Sequence, residues 1–86
     1  MEYSIYFNRD VKKFLERLDR LQKERIKTKL LSLSRDPFIG DVKKVQGREN
    51  VYRVRIGDFR VLYLVNHEEK EIYVVKIDKR SRVYRK

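Results

Sequence analysis

Ile56 and Phe59 are separated by only two residues, Gly57-Asp58, and lie between two stretches whose apolar residues recur at every second position. Glycine at the first central position of a two-residue loop suits a type II′ hairpin turn. A loop that short leaves the flanking strands a single register. Ile56 then faces Phe59, Arg55 faces Arg60, Val54 faces Val61, Arg53 faces Leu62, and Tyr52 faces Tyr63. Strand side chains alternate between faces. Tyr52, Val54, Ile56, Phe59, Val61, Tyr63 and Val65 therefore share a core side, and Arg53, Arg55, Arg60, Leu62 and Leu64 share the other.

This register sets Arg55 directly opposite Arg60. Like charges in that position destabilise a sheet by up to ~1 kcal/mol. The guanidinium fork matches phosphate oxygens, so three arginines at one end of an open face form a candidate phosphate cradle. The plainer alternative is a solvated charged face, with Glu49, Asp58 or Asp78 as partners.

The rest of the chain is expected to support that hairpin. Tyr3, Ile5 and Phe7 alternate as a first strand, and Asn8 stands where an N-cap is needed, with Asp10 in the first turn. Val11, Phe14, Leu15 and Leu18 follow at the spacing of one helix face. After a break near Asp19–Gln22, a second helix striped by Ile26, Leu30 and Leu33 should return antiparallel and end at Asp36-Pro37. A short strand is expected around Lys43–Gln46, then Val51–Ile56, Phe59–Asn66 and Ile72–Ile77. The expected fold is α+β: residues 1–86 form a single domain with an N-terminal strand, an antiparallel helical hairpin, and a four-strand antiparallel sheet packed on the helices.

Composition narrows the partners. Of 86 residues, 23 are Lys or Arg and 13 are Asp or Glu, a formal net charge of +10. Such a field draws polyanions and exceeds what solubility requires. There is no cysteine, which removes disulfides, thiolate nucleophiles and zinc–thiolate sites. The opening residues lack the basic segment and apolar run of a signal peptide, and no apolar stretch approaches membrane-spanning length. A cytoplasmic protein is expected, without a membrane partner.

The last strand leads into Lys79-Arg80-Ser81-Arg82-Val83-Tyr84-Arg85-Lys86. Unbroken alternation would turn Tyr73, Val75 and Ile77 to the core, and Ile72, Val74, Lys76 and Asp78 to the arginine face. Arg80, Arg82 and Tyr84 would follow on that face if the chain stayed extended, leaving Tyr84 as its only aromatic. Of the six tyrosines, Tyr52 and Tyr63 belong to the core side, and Tyr3, Tyr6 and Tyr73 are expected to pack in the sheet. His67 reads as a surface turn residue, at the end of the sheet far from Gly57-Asp58.

The run from Val51 to Tyr63 resembles the central hairpin of RelE/ParE-type toxins: Tyr, basic, apolar, basic, apolar, a short turn, then aromatic, Arg, apolar, apolar, Tyr. The ending Lys79-Arg80-Ser81-Arg82-Val83-Tyr84 is similar to that of RelE-like members, archaeal ones most closely. The resemblance spans almost the whole chain. It implies a RelE-like β-α-α-β-β-β-β fold and an endoribonuclease that enters the ribosomal A site. Such an enzyme cuts mRNA by attack of a ribose 2′-hydroxyl, without metal or cofactor, and is held inactive by a cognate antitoxin. Carried over position by position, the catalytic candidates are Arg60, Arg80 and Tyr84. Arg53, Arg55, Lys79, Arg82 and Arg85 are candidates for binding RNA phosphates. Some members carry lysine at the positions of Arg53 and Arg55. Arginine does not give up its proton at accessible pH, so here those two positions stabilise charge and do not move protons.

Two rivals share these features. A ParE-like inhibitor of DNA gyrase would act by protein contact and need no catalytic ending. A non-catalytic basic RNA- or ribosome-binding module would interleave aromatics with its basic residues. The implied partners of the first reading are an antitoxin with acidic and apolar residues, and the ribosome with its mRNA and rRNA. An antitoxin segment would also suit the apolar patch at Leu62 and Leu64.

Overall fold

The computed structural model describes residues 2–79. Strand β1 (Ser4–Phe7) is followed by helices α1 (Arg9–Glu16) and α2 (Arg20–Arg35), then by β2 (Lys43–Lys44), β3 (Val51–Ile56), β4 (Phe59–Asn66) and β5 (Glu71–Lys79). The five strands form one sheet in the order β1-β5-β4-β3-β2. β2 to β5 pair antiparallel as expected, while β1 joins the far edge parallel to β5.

The helix boundaries follow from local chemistry. The Asn8 side chain accepts from the Val11 amide at 2.8 Å and caps α1. The break between the helices lies slightly earlier than the sequence suggests. Asp19 caps α2 by accepting from the Gln22 amide at 2.8 Å, and the Gln22 side chain accepts from the Asp19 amide in return. This reciprocal capping box satisfies two donors that a helix start leaves open, so Arg20 already lies inside the helix. At the other end Asp36 closes α2 in an extended conformation.

The hairpin register matches the expectation pair for pair, with Arg55 opposite Arg60. Gly57 carries a φ of +59°, whereas Asp58 is not among the residues with positive φ, the pattern of a type II′ turn. The helix-facing residues Val54, Ile56, Phe59, Val61, Tyr63 and Val65 are buried with Val11, Ile26, Leu30 and Leu33 of the helices. The Phe14 ring meets Phe59 edge to face.

Strand β5 departs from simple alternation. Its pairing with β4 shifts between Leu62, which faces Lys76, and Tyr63, which faces Val74. Val75 is thus an extra residue, a β-bulge. Ile72 and Val74 are buried in the core, and Tyr73 and Val75 are exposed, the reverse of the expected facing. Beyond the bulge the phase is restored. Ile77 is buried, and Lys76 and Asp78 share the arginine face as expected. Asn8 holds the bulge as well as the helix, because its side-chain amide donates to the Val75 carbonyl at 3.1 Å.

The two halves of the chain are also tied through Tyr63. Its ring is fully buried, and its hydroxyl donates to the Pro37 carbonyl at 2.5 Å. Burial, then the neighbouring Tyr52 and Asp36, push the Tyr63 pKa well above the ordinary tyrosine value.

Two measurements test these ties. Asn8→Ala removes a helix cap and the bulge's side-chain donor, and should cost about 1–3 kcal/mol in denaturant unfolding. Tyr63 stays protonated in the folded state at pH values where it ionises in the unfolded chain. Its contribution to stability is therefore complete below pH 10.0, the ordinary tyrosine value, and declines as pH rises above it. The unfolding midpoint of Tyr63→Phe should be lower at pH 8 by about 1–3 kcal/mol of stability and should fall less steeply than wild type above pH 10.

Candidate nucleic-acid interface

The face of the sheet turned away from the helices can be laid out row by row from the strand pairings. The row nearest the Gly57-Asp58 turn contains Arg55, Arg60 and Asp78. The next contains Lys43, Arg53, Leu62 and Lys76. Further from the turn come Val51, Leu64, Tyr73 and Tyr6. The final row contains Asn66, Glu71 and Ser4. Positive charge is concentrated in the first two rows, and apolar and aromatic side chains fill the third.

The three arginines of the expected cradle are brought together as the register required. Arg53 and Arg55 are exposed and Arg60 is half-buried. Neither of the two ion pairs among the described residues involves them. Asp78, the acid best placed to neutralise Arg60 from β5, lies 3.6 Å from Lys76 instead. The Arg55–Arg60 pairing thus lacks a carboxylate partner among the described residues and remains open to an external anion.

Two further lysines join this face. Lys43 pairs with Arg53 from the short edge strand, and Lys76 pairs with Leu62 from β5. Lys43 was not among the candidates, because a two-residue strand has too little pattern to reveal its register. Lys79 lies elsewhere. It pairs with Phe59, whose side chain belongs to the core, so alternation directs Lys79 to the helix side at the strand's end, where it is exposed. Arg80, Arg82, Tyr84 and Arg85 lie outside the described residues.

The aromatic content of the face also differs from expectation. Tyr6 and Tyr73 stand on it, 45% and 36% exposed, with their rings stacked at 5.3 Å. Tyr73 reaches that face because the bulge follows it. Its hydroxyl donates to the Glu71 carboxylate, and this hydrogen bond raises its pKa, with smaller contributions from burial and neighbouring charges. Tyr52 and Tyr63 are core-side residues as read, and Tyr3 packs against the core edge. His67 lies in the turn after β4, with its Nδ1 3.1 Å from the Tyr3 hydroxyl, at the far end of the sheet from the arginines.

Among the described residues no three His, Asp or Glu side chains converge as a metal site, and no helix is long and apolar enough to cross a membrane. What the face can do directly is hold an anionic backbone at one end and offer flat apolar surface at the other.

A family model described as the ParE toxin of a type II toxin–antitoxin system, parDE, matches residues 2–84. The chain belongs to the RelE/ParE superfamily of toxins. A curated relative from Methanocaldococcus jannaschii, which carries the provisional name toxin RelE1, is 32% identical over 88 residues, spanning 99% of this chain and 98% of the relative. A chain of the archaeal RelE–RelB complex from Pyrococcus horikoshii superposes with a TM-score of 0.85 at 32% identity, covering 95% of this chain and 99% of the other. A double arginine-to-alanine variant of the E. coli toxin RelE, in its free state, gives 0.78 at 26% identity, covering 98% and 92%. The protein is a RelE-like toxin of a toxin–antitoxin system, with the α+β fold expected of one.

If the arginine face of this RelE-like toxin is kept for binding, it should be suboptimal for folding. Arg55→Thr should raise stability by up to ~1 kcal/mol in denaturant titration. The same variant should bind an anionic oligomer more weakly, with a shallower salt dependence.

Proposed function

We infer that this toxin is a ribosome-dependent endoribonuclease that cleaves mRNA in the ribosomal A site, needs no metal, and thereby blocks translation. The observation that carries the reading is the cluster of Arg53, Arg55 and Arg60, set on an open face without carboxylate partners among the described residues. The RelE-like relatives support it, as does the ending with Arg80 and Tyr84.

The chemistry suits these residue types. The ribose 2′-oxygen attacks the adjacent phosphorus, a pentacovalent phosphorane forms, and the bond to the 5′-oxygen breaks. The products are a 2′,3′-cyclic phosphate and a 5′-hydroxyl. Tyr84, as its phenolate, accepts the 2′-hydroxyl proton, water gives a proton to the departing 5′-oxygen, and the hydroxide left behind takes the proton back from Tyr84. Arg80 and Arg60 stabilise charge on the phosphorane. Fixed positive charge aimed at a transition state is often the largest catalytic contribution. Arg53, Arg55, Arg82 and Arg85 hold phosphates along the strand, and Lys79, on the helix side of the sheet, has no part in that set. With no arginine able to act as a base, in-line positioning of mRNA by the ribosome supplies much of the rate enhancement. Activity on naked RNA is therefore low.

The regulator is a cognate antitoxin. The P. horikoshii relative was crystallised as a RelE–RelB complex, and a strongly positive toxin fits a partner with acidic residues. The family description as a ParE toxin favours one rival, action on DNA gyrase by protein contact. The exposed Tyr6–Tyr73 pair favours another, RNA binding without catalysis.

Primer extension on ribosomes paused over a defined mRNA separates these readings. The expected result is cleavage within the A-site codon that requires the ribosome and falls by about 10²-fold or more in Arg80→Ala, with a further loss in Tyr84→Phe. Cleavage that survives both substitutions would keep the activity and discard these residues. Ribosome binding without cleavage would select the binding module, and gyrase binding without cleavage the gyrase inhibitor.

A further inference from the structure

Tyr6 and Tyr73 take no part in the reaction above, yet they share the face of the arginines. They are partners across the parallel β1–β5 pairing, with ring planes 22° apart. Their 5.3 Å centroid spacing is close to the ~4.8 Å between neighbouring strands, so the stack runs across the strands. The hydrogen bond from Tyr73 to Glu71 pins the inner ring. Tyr6 belongs to the edge strand, so among the described residues no further strand covers the outer side of the stack. A third flat ring can be added there without displacing anything in the sheet.

We propose that the Tyr6–Tyr73 pair is a stacking shelf for a nucleobase of the RNA strand whose phosphates lie on the arginine rows. This deepens the RNA reading and rests on it. Leu64 neighbours Tyr73, and Arg60 lies four residues back along β4, ~13 Å along the strand, while Tyr6 stands two strands across from β4, ~10 Å in the other direction. A short single strand can therefore place backbone on the arginines and a base at the shelf. Stacking suits any base, because every base presents a π-face. Charge points the same way. Glu71 beside the shelf repels a phosphate but not a neutral base, while Lys43, Arg53, Arg55 and Arg60 attract phosphate. A protein side chain has a better berth on the opposite side of the sheet, in the groove of about 400 Å³ lined by Ile5, Phe7, Leu15, Leu30 and Leu31.

The test uses the full chain and a short single-stranded 2′-O-methyl RNA, which lacks the attacking hydroxyl and is not cut. An abasic oligomer of the same length and charge serves as control. Tyr6→Ser/Tyr73→Ser should weaken binding of the base-bearing oligomer by roughly tenfold or more, leave the abasic oligomer unaffected, and keep the wild-type salt slope. Tyr6→Phe/Tyr73→Phe should restore tight binding, which separates loss of the rings from loss of the fold. Arg53→Ala/Arg55→Ala should weaken both oligomers and flatten the salt slope. RNA binding that is unchanged in the serine variant but lost in the arginine variant overturns the shelf and leaves the RNA reading standing. A wild type that prefers neither oligomer and binds both only weakly overturns both. A serine variant that binds RNA normally but loses affinity for the cognate antitoxin reassigns the shelf to a protein partner and overturns the proposal.

Discussion

The open face depends on the turn at Gly57-Asp58. Two residues leave the flanking strands no freedom to slip, so Arg55 stands opposite Arg60 and the buried column from Val54 to Val65 meets the helices. A slip of one residue between the two strands would send either Arg53 and Arg55 or Arg60 into the core, and the valines of the same strand into water. The apolar burial that holds the sheet against the helices therefore also holds the like-charged pair in place. The repulsion costs little compared with the burial that opposes it, and the arginines can be kept where an anion would use them.

What was legible before the structure follows from the same constraint. A two-residue loop, a helix cap or a helical stripe announced the arrangement in several places, although the capping box at Asp19 went unread and the break between the helices was placed too late. The β3–β4 register, the Asn8 cap and the buried stripe of Ile26, Leu30 and Leu33 are all of this kind. Alternation failed in β5 because Val74 and Val75 are both apolar and neither is glycine, so nothing in the residues marks the bulge between them. Counting forward from the bulge gives the right facing, and counting back through it gives the wrong one. The parallel docking of β1 was hidden for a different reason. Its partner lies at the other end of the sequence, and four residues carry too little pattern to choose an edge.

The candidate site was legible in the same measure. Arg53, Arg55 and Arg60 came from a register that could be counted, whereas Lys43 and the Tyr6–Tyr73 stack came from pairings that could not. The misread facing of Tyr73 also bore on function. It left one aromatic candidate on the arginine face, where the structure adds two. A site on an open sheet inherits every error in strand phase, because its side chains converge through pairing alone, with no pocket wall to gather them.

The bulge also has a consequence for how this fold can vary in length. With Val75 left out, β5 alternates without interruption: Ile72, Val74 and Ile77 inward, Tyr73, Lys76 and Asp78 outward. The strand therefore carries one residue of slack. If Lys76 were lost, Val75 could take its outward place. If Tyr73 were lost, Val74 could turn outward and Val75 fill the core. A single deletion in most strands inverts everything beyond it, but here a spare position can absorb the gap. An edge region that receives β1 and presents part of the open face can thus change length by one residue across a lineage while its buried side stays apolar.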